Sequence, residues 1–138
     1  MEASKGSGTG TEGKGDERTV LILDDEAATR ALLRKTVETL SVPCRVVEAT
    51  NGDEAIELAR REQPDLALVD IVLPGSTSSG VLVCRELLKV RGTEVVIVSG
   101  QATNSIIESC LEAGVREWVR KPFSVEELKG KLEEWLAR

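Results

Sequence analysis

Three short runs of consecutive apolar residues predict strands that are buried on both faces. They lie at 20–23, 66–69 and 95–98. Because none of these runs alternates with polar residues, each favours a strand of a parallel sheet covered by helices on both sides. Two weaker strand candidates lie at 45–49 and 115–119.

Between these runs, apolar residues recur at helical spacing and predict five helices. The clearest is the last, which Ser124 and Glu127 begin with a capping-box pattern. Its predicted apolar side contains Val125, Leu128, Leu132, Trp135 and Leu136. The earlier stripes are Leu33, Val37 and Leu40; Ala55, Leu58 and Ala59, after the turn signal Asn51-Gly52; Val81, Cys84 and Leu88; and Ile107, Cys110 and Leu111, which Gly114 stops. Strict alternation of strand and helix predicts a doubly wound α/β fold with right-handed crossovers.

Residues 1–18 differ from the rest of the chain. They contain five glycines and seven charged residues but only two apolar residues, Met1 and Ala3. Such a segment buries too little surface to offset its ordering entropy. We therefore expect a disordered lead-in at 1–18, either a native tail or a remnant of cloning, followed by one folded domain at 19–138.

Composition excludes several classes of function. The formal net charge of −6 argues against a surface that binds nucleic acid directly. The chain contains no histidine, which excludes histidine general bases and histidine metal ligands. Neither a Gly-Lys-Ser/Thr phosphate loop nor a dinucleotide-binding glycine pattern follows a strand. No apolar run is long enough to span a membrane, so a cytoplasmic protein without membrane attachment is expected.

The three cysteines, Cys44, Cys84 and Cys110, lie far apart in the sequence among apolar neighbours. This pattern favours buried, reduced thiols in a reducing compartment. A metal or redox role would need a close pair of cysteines, which the sequence spacing does not predict.

Polar residues follow the predicted strands where a parallel sheet binds its ligands, beyond the carboxyl ends. Asp24 and Asp25 follow the first strand, and Asp70 follows the third. Ser99 follows the fourth strand, and Lys121 follows the fifth. Taken singly, the first two aspartates could cap a helix, Ser99 could be a helix cap and Lys121 a solvated lysine. Their joint occurrence favours one shared pocket.

The chemistry of this cluster favours phosphoryl transfer. Neighbouring carboxylates repel each other, so a hard divalent cation such as Mg²⁺ would hold both Asp25 and Asp70 ionised. Asp70 could then attack phosphorus without a general base, because a carboxylate needs no deprotonation. The ammonium of Lys121 and the hydroxyl of Ser99 could neutralise the oxygens of the resulting acyl phosphate.

Four segments together resemble the receiver domain of bacterial two-component response regulators. In order they are Val20-Leu-Ile-Leu-Asp-Asp-Glu26, Leu66-Ala-Leu-Val-Asp-Ile-Val-Leu-Pro74, Val95-Val-Ile-Val-Ser-Gly100 and Arg120-Lys-Pro-Phe123. The resemblance covers about residues 19–138. It implies a flavodoxin-like (βα)5 fold, whose five-stranded parallel sheet has the strand order 2-1-3-4-5.

The resemblance also implies a role for each matching residue. Asp70 would be the phosphoacceptor, and Mg²⁺ would be bound by Asp25, Asp70 and the backbone carbonyl of Val72, with Asp24 acting through a water. Lys121 would contact the phosphate, and its bond to Pro122 would be cis. Ser99 and Trp118 would be the switch residues, although an aromatic on a short strand is often simply packed.

The chain departs from the family pattern in two places. The loop Gly75–Ser79 is about two residues longer than usual, which affects access beside Asp70. The switch aromatic is Trp118, where tyrosine or phenylalanine is commoner.

Three functions compete at this stage. The first is a phosphorylatable switch of a phosphorelay, which receives its phosphoryl group from a histidine kinase or a histidine phosphotransfer protein and signals through the face formed by its fourth helix, fifth strand and fifth helix. It would support its own phosphorylation and dephosphorylation without being a turnover enzyme. It would act on a downstream protein or a fused output domain, as a monomer or a homodimer. The second is an aspartate-nucleophile phosphatase, which would need Asp-x-Asp and a cap domain. The third is a pseudo-receiver scaffold, which normally lacks one of Asp25, Asp70 or Lys121.

Overall fold

The structure, a computed structural model, describes residues 17–72 and 79–137. Strands and helices alternate along the chain. The strands are β1 (Arg18–Leu23), β2 (Cys44–Ala49), β3 (Leu66–Val69), β4 (Glu94–Ser99) and β5 (Glu117–Arg120). The helices are α1 (Ala27–Glu38), α2 (Gly52–Glu62), α3 (Gly80–Leu88), α4 (Asn104–Ala113) and α5 (Val125–Leu136).

The five strands form one parallel sheet in the order β2-β1-β3-β4-β5. Leu23 pairs with Val69, and Asp70 N–H donates to the Leu23 carbonyl at 2.9 Å. This register places the next residues, Asp24 and Asp70, side by side at the carboxyl edge. The predicted doubly wound fold and its strand order are confirmed.

The sheet divides the core into two layers. Along β1, Leu21 and Leu23 belong to one layer, while Val20 and Ile22 belong to the other. The first layer includes buried residues of α2, α3 and α4, and the second includes those of α1 and α5. All four residues of β3 are buried, which explains why its sequence shows no polar alternation.

Several predicted boundaries and faces are corrected by the structure. β1 begins at Arg18, whose N–H donates to the Pro43 carbonyl at 2.9 Å, so the sheet includes the last residue assigned to the lead-in. Residues 1–16 of that lead-in lie outside the described residues. β5 begins two residues later than predicted, at Glu117. Leu111 and Val125 were expected in the core, yet they are 43% and 41% exposed.

Side-chain caps begin α5 and α2: Ser124 was predicted in this role, whereas Asn51 was interpreted only as part of a turn. Ser124 Oγ accepts a hydrogen bond from Glu127 N–H at 3.3 Å at the start of α5. Asn51 Oδ1 accepts one from Glu54 N–H at 2.9 Å at the start of α2. Each cap satisfies a backbone donor that the first turn of a helix leaves without a partner.

The cysteines are free thiols, but two of them meet in space. Cys84 on α3 and Cys110 on α4 are both fully buried, and Cys44 is only partly buried. A hydrogen bond from Cys110, together with burial, raises the pKa of the Cys84 thiol. The expectation that no two cysteines are close was therefore wrong, because α3 and α4 pack side by side in the same layer.

Among residues 17–72 and 79–137, no helix has the length and apolar character required to cross a bilayer.

Candidate functional site

Three carboxylates converge at the carboxyl edge of the sheet. Asp24, Asp25 and Asp70 each offer one oxygen, and these oxygens lie within 4.8 Å of one another. Asp24 and Asp70 are buried, whereas Asp25 is exposed. Oxygen donors at this separation, with one of them open to solvent, suit a hard cation such as Mg²⁺ that keeps part of its water shell.

A local turn orients each of the two buried carboxylates. Asp24 Oδ1 accepts a hydrogen bond from Glu26 N–H at 2.9 Å, and Asp70 Oδ1 accepts one from Val72 N–H at 3.0 Å. In each case the donor is the backbone N–H of the residue two positions later in the chain, and the bond closes a turn that aspartate favours. The second oxygen of each carboxylate is left to face the pocket.

Lys121 joins these two carboxylates. Its Nζ donates to Asp24 Oδ2 at 2.7 Å and to Asp70 Oδ2 at 3.0 Å. Burial acts to lower the pKa of Lys121, but the hydrogen bonds and charges of Asp70 and Asp24 outweigh it and raise that pKa above its usual 10.5. The side chain is therefore a cation at neutral pH. Its peptide bond to Pro122 is cis, in agreement with the expectation from the sequence.

Ser99 brings a hydroxyl without a partner to the same pocket. It ends β4, and among the described residues its Oγ is a buried polar atom with no hydrogen-bond partner. Buried hydroxyls are normally paired, so this one has its bonding capacity left for a ligand. Together with Asp25, Asp70 and Lys121, Ser99 lines an open cavity.

Trp118 is tied to the backbone of Ser99. Its Nε1–H donates to the Ser99 carbonyl at 3.0 Å, and the Arg120 guanidinium lies 4.3 Å from the centre of the indole ring. The ring is partly buried against the core layer of α2, α3 and α4. Sequence analysis placed Trp118 near the site, and this bond joins it directly to β4.

The segment after Asp70 is described only as far as Val72. This residue is 37% exposed and lines the cavity. The long loop Gly75–Ser79 lies outside the described residues except for Ser79, which caps α3 through a hydrogen bond from Leu82 N–H at 3.2 Å.

Sequence analysis missed Arg30 of α1. Its Nη1 donates to the Asp24 carbonyl at 2.9 Å, and its Nε donates to Glu48 Oε1 at 3.0 Å. Only the pairing of β1 with β2, which sets Ile22 opposite Glu48, brings that carboxylate within reach. Nothing in the spacing of these residues along the chain indicates the contact.

Sequence analysis also missed Thr29, Leu32 and Phe123, which line the cavity.

Comparisons with known proteins agree with this geometry. A family model described as the response regulator receiver domain matches residues 20–133. The transcriptional regulatory protein ResD of Bacillus subtilis (strain 168) is 32% identical over 123 residues, which are 89% of this chain and 50% of ResD. A cyclic di-GMP phosphodiesterase of Thermotoga maritima is 35% identical over 115 residues, 83% of this chain and 30% of the enzyme.

A solved structure with the same fold is the CheY-like response regulator receiver domain protein from Methanospirillum hungatei JF-1. It is 27% identical with a TM-score of 0.76, and the match covers 87% of this chain and 94% of that one. The chain spans about half the length of the first curated relatives it matches.

Proposed function

The chain belongs to the response regulator receiver domain family, and we propose that Asp70 is the residue on which this phosphorylatable signalling switch accepts its phosphoryl group. Receiver domains are signalling domains and not turnover enzymes. The observation that carries the proposal is the contact of Asp70 Oδ2 with the Lys121 ammonium at 3.0 Å, inside the cluster of three carboxylates.

The proposed transfer needs no general base in the domain. An oxygen of the Asp70 carboxylate attacks phosphorus of a phosphohistidine or a small acyl phosphate and forms the new P–O bond. The bond from phosphorus to the donor breaks, and the leaving group takes the electron pair. Later hydrolysis releases inorganic phosphate and restores the carboxylate. We propose that this chain supports both steps itself.

Mg²⁺ is the proposed cofactor. Asp25, Asp70 and the backbone carbonyl of Val72 would hold it, with Asp24 contributing through a water. When bound, it would supply positive charge beside the transferring phosphoryl oxygens. The clustered carboxylate oxygens support this assignment because they match the ligands that the ion prefers.

Lys121 and Ser99 would hold the product. The Lys121 ammonium lies at the Asp70 oxygen and stays protonated at neutral pH, so it can pair with the phosphoryl oxygens. The Ser99 hydroxyl, without a partner of its own, would donate to another of these oxygens. Because Trp118 is bonded to the Ser99 carbonyl, a displacement of Ser99 would reach β5 directly.

We propose that the signal leaves through the α4-β5-α5 face. Ile106 and Leu111 give α4 an apolar exposed part, at 37% and 43% exposure, which a protein partner could cover. A histidine kinase or phosphotransfer protein is the proposed donor, and a downstream protein or fused output domain is the proposed target. A cytoplasmic location is part of the proposal, and the three free thiols suit a reducing compartment.

Intact-mass measurement tests the phosphoacceptor. Incubation with acetyl phosphate and Mg²⁺ is expected to add the mass of one phosphoryl group to the wild-type chain. Asp70→Asn is expected to gain none, while the control Asp53→Asn, which changes an exposed carboxylate of α2, gains the same mass as wild type. A phosphoryl gain on Asp70→Asn would contradict the assignment.

A further inference from the structure

We infer that Arg30 is a positioning residue for the metal site: anchored by Glu48, it holds the Asp24 carbonyl and thereby sets where the Asp25 carboxylate lies. The inference deepens the proposed function and rests on it. It concerns a residue that touches neither the reacting atoms nor the metal ligands' side chains.

The contact that carries it is partly buried. The Arg30 side chain is 17% exposed and lies between two acceptors on different strands. Nη1 donates to the Asp24 carbonyl, where β1 has just ended, and Nε donates to Glu48 on β2. The guanidinium makes these two bonds from two separate nitrogens in a fixed fork, whereas an ammonium group has all its donors on one nitrogen.

The planar peptide bond between Asp24 and Asp25 links the bond at the Asp24 carbonyl to the position of Asp25. The carbonyl of Asp24, the nitrogen of Asp25 and both Cα atoms lie in one plane. A charge-assisted bond that fixes the carbonyl therefore fixes the orientation of that plane and the starting point of the Asp25 side chain. Asp24 itself is already held through its N–H, which donates to the Ala49 carbonyl at 3.2 Å, and through its carboxylate.

The exposed position of Asp25 makes backbone placement important. Asp24 is buried and oriented by two side-chain bonds, whereas the Asp25 carboxylate lies at the solvent side of the cluster. Residues that orient metal ligands through hydrogen bonds typically change the metal affinity by about 10-fold to 100-fold when they are substituted.

Arg34 provides a matched comparison. It lies one turn further along α1, and its Nε donates to the other oxygen of Glu48 at 2.6 Å. Its remaining described bond is to Glu38 at 3.5 Å. Both arginines thus share one carboxylate, but only Arg30 also reaches the Asp24 carbonyl. If only the pairs with Glu48 mattered, substitution of either arginine would change the Mg²⁺ affinity alike.

The test compares Arg30→Gln with Arg34→Gln in the full chain. Mg²⁺ binding is measured by isothermal titration calorimetry, and folding is measured by thermal unfolding without metal. We expect Arg30→Gln to bind Mg²⁺ about 10-fold more weakly than wild type. Arg34→Gln is expected to stay within about two-fold of wild type, since a partly exposed ion pair contributes little. Thermal unfolding of each variant shows whether it is folded under the conditions of the titration.

Equal Mg²⁺ affinities of Arg30→Gln and Arg34→Gln would overturn the inference, whether both fall or neither does. If Arg30→Gln does not fold, Arg30→Lys against Arg34→Lys decides in the same way, because lysine keeps the charge but has one nitrogen in place of the two that make these bonds. A failure of the proposed metal site gives a different result: the wild-type chain then binds no Mg²⁺, which contradicts both the site and the role of Arg30. If wild type binds Mg²⁺ and Asp25→Ala weakens it while Arg30→Gln does not, only the role of Arg30 is wrong.

Discussion

The ammonium of Lys121 holds two carboxylates together that would otherwise repel each other. Its bonds to Asp24 and Asp70 join residues separated by 97 and 51 positions in the chain. Removing one partner of such a buried group leaves the rest without a counter-charge, which is more costly than the loss of an exposed ion pair. The same residue is therefore expected to stabilise the fold at the site where we propose that phosphoryl transfer takes place.

The stabilisation by Lys121 is expected to depend on alkaline pH. Folding raises the pKa of Lys121, so the contribution is fully present below the unfolded pKa near 10.5 and is lost as pH rises through the higher folded value. The difference in free energy of unfolding between wild type and Lys121→Met should shrink above that pH. Urea unfolding across this range measures it. The control Lys35→Met changes an exposed lysine and should show no such trend.

Asp25 is expected to have opposite effects on metal binding and on stability. Asp25→Ala removes a proposed ligand, so Mg²⁺ should bind at least about 10-fold more weakly. In metal-free buffer the same change removes repulsion from Asp24 and Asp70 and should stabilise the fold by about 1 kcal/mol. Calorimetric titration and urea unfolding measure the two effects. Unchanged Mg²⁺ affinity would refute the placement of the ion.

At the scale of elements, β4 and β5 are the strands through which we propose that the site is connected to the surface. Ser99 ends β4, and its carbonyl accepts bonds from the Trp118 indole and from Lys121 N–H, at 3.0 and 3.2 Å. Gly100 follows, and a Cβ there would lie 3.3 Å from the Lys121 Cβ. Because these strand ends pack closely, we expect a shift of Ser99 to disturb Trp118.

Trp118 fluorescence is expected to report activation. In a Trp135→Phe background, beryllofluoride with Mg²⁺ should change the emission, because the mimic draws the Ser99 hydroxyl towards it and disturbs the indole's bond. Adding Ser99→Ala should reduce the change, since the hydroxyl that couples the two events is gone. An unchanged spectrum in the background variant would mean that Trp118 only packs and that the signal leaves by another route.

The apolar face of α5 illustrates how well the elements could be predicted. On α5, the buried stripe begins at Leu128 and not at Val125, because the first turn lies at the solvent. Leu132→Ala is expected to cost about 2–5 kcal/mol of stability, as a fully buried leucine does. Val125→Ala on the same helix should cost less than about 0.5 kcal/mol. Urea unfolding of both variants measures this contrast, which equal losses would contradict.

At the scale of the whole molecule, the sequence pattern predicted the doubly wound fold and the residues at the strand ends, and the resemblance to receiver domains implied the strand order. Continuous apolar runs have few alternatives to a covered parallel sheet, and parallel strands bring their carboxyl ends to one edge. Contacts across strands and helices could not be predicted in this way. The bond from Arg30 to the Asp24 carbonyl and the meeting of Cys84 with Cys110 depend on which elements are neighbours and on side-chain reach.

The domain boundary is a further prediction at this scale. Composition indicates that the first residues of the chain add little to the fold, and β1 begins at Arg18. Removing residues 1–16 is therefore expected to leave the unfolding temperature and phosphorylation by acetyl phosphate unchanged. Differential scanning calorimetry of both chain lengths measures it. A lower unfolding temperature of the shortened chain would show that the segment packs on the domain.

The position of the phosphoryl group is the most direct test of the proposed switch. After treatment with acetyl phosphate and Mg²⁺, borohydride reduction converts a phosphorylated aspartate to homoserine, which peptide mass mapping locates. We expect homoserine at position 70 alone, because among the residues that the structure describes only Asp70 combines contact with Lys121, neighbouring carboxylates and a place beside Ser99 in the lining of one open cavity. Homoserine at position 24 or 25, or none at position 70 in a chain that has gained the phosphoryl mass, would contradict it.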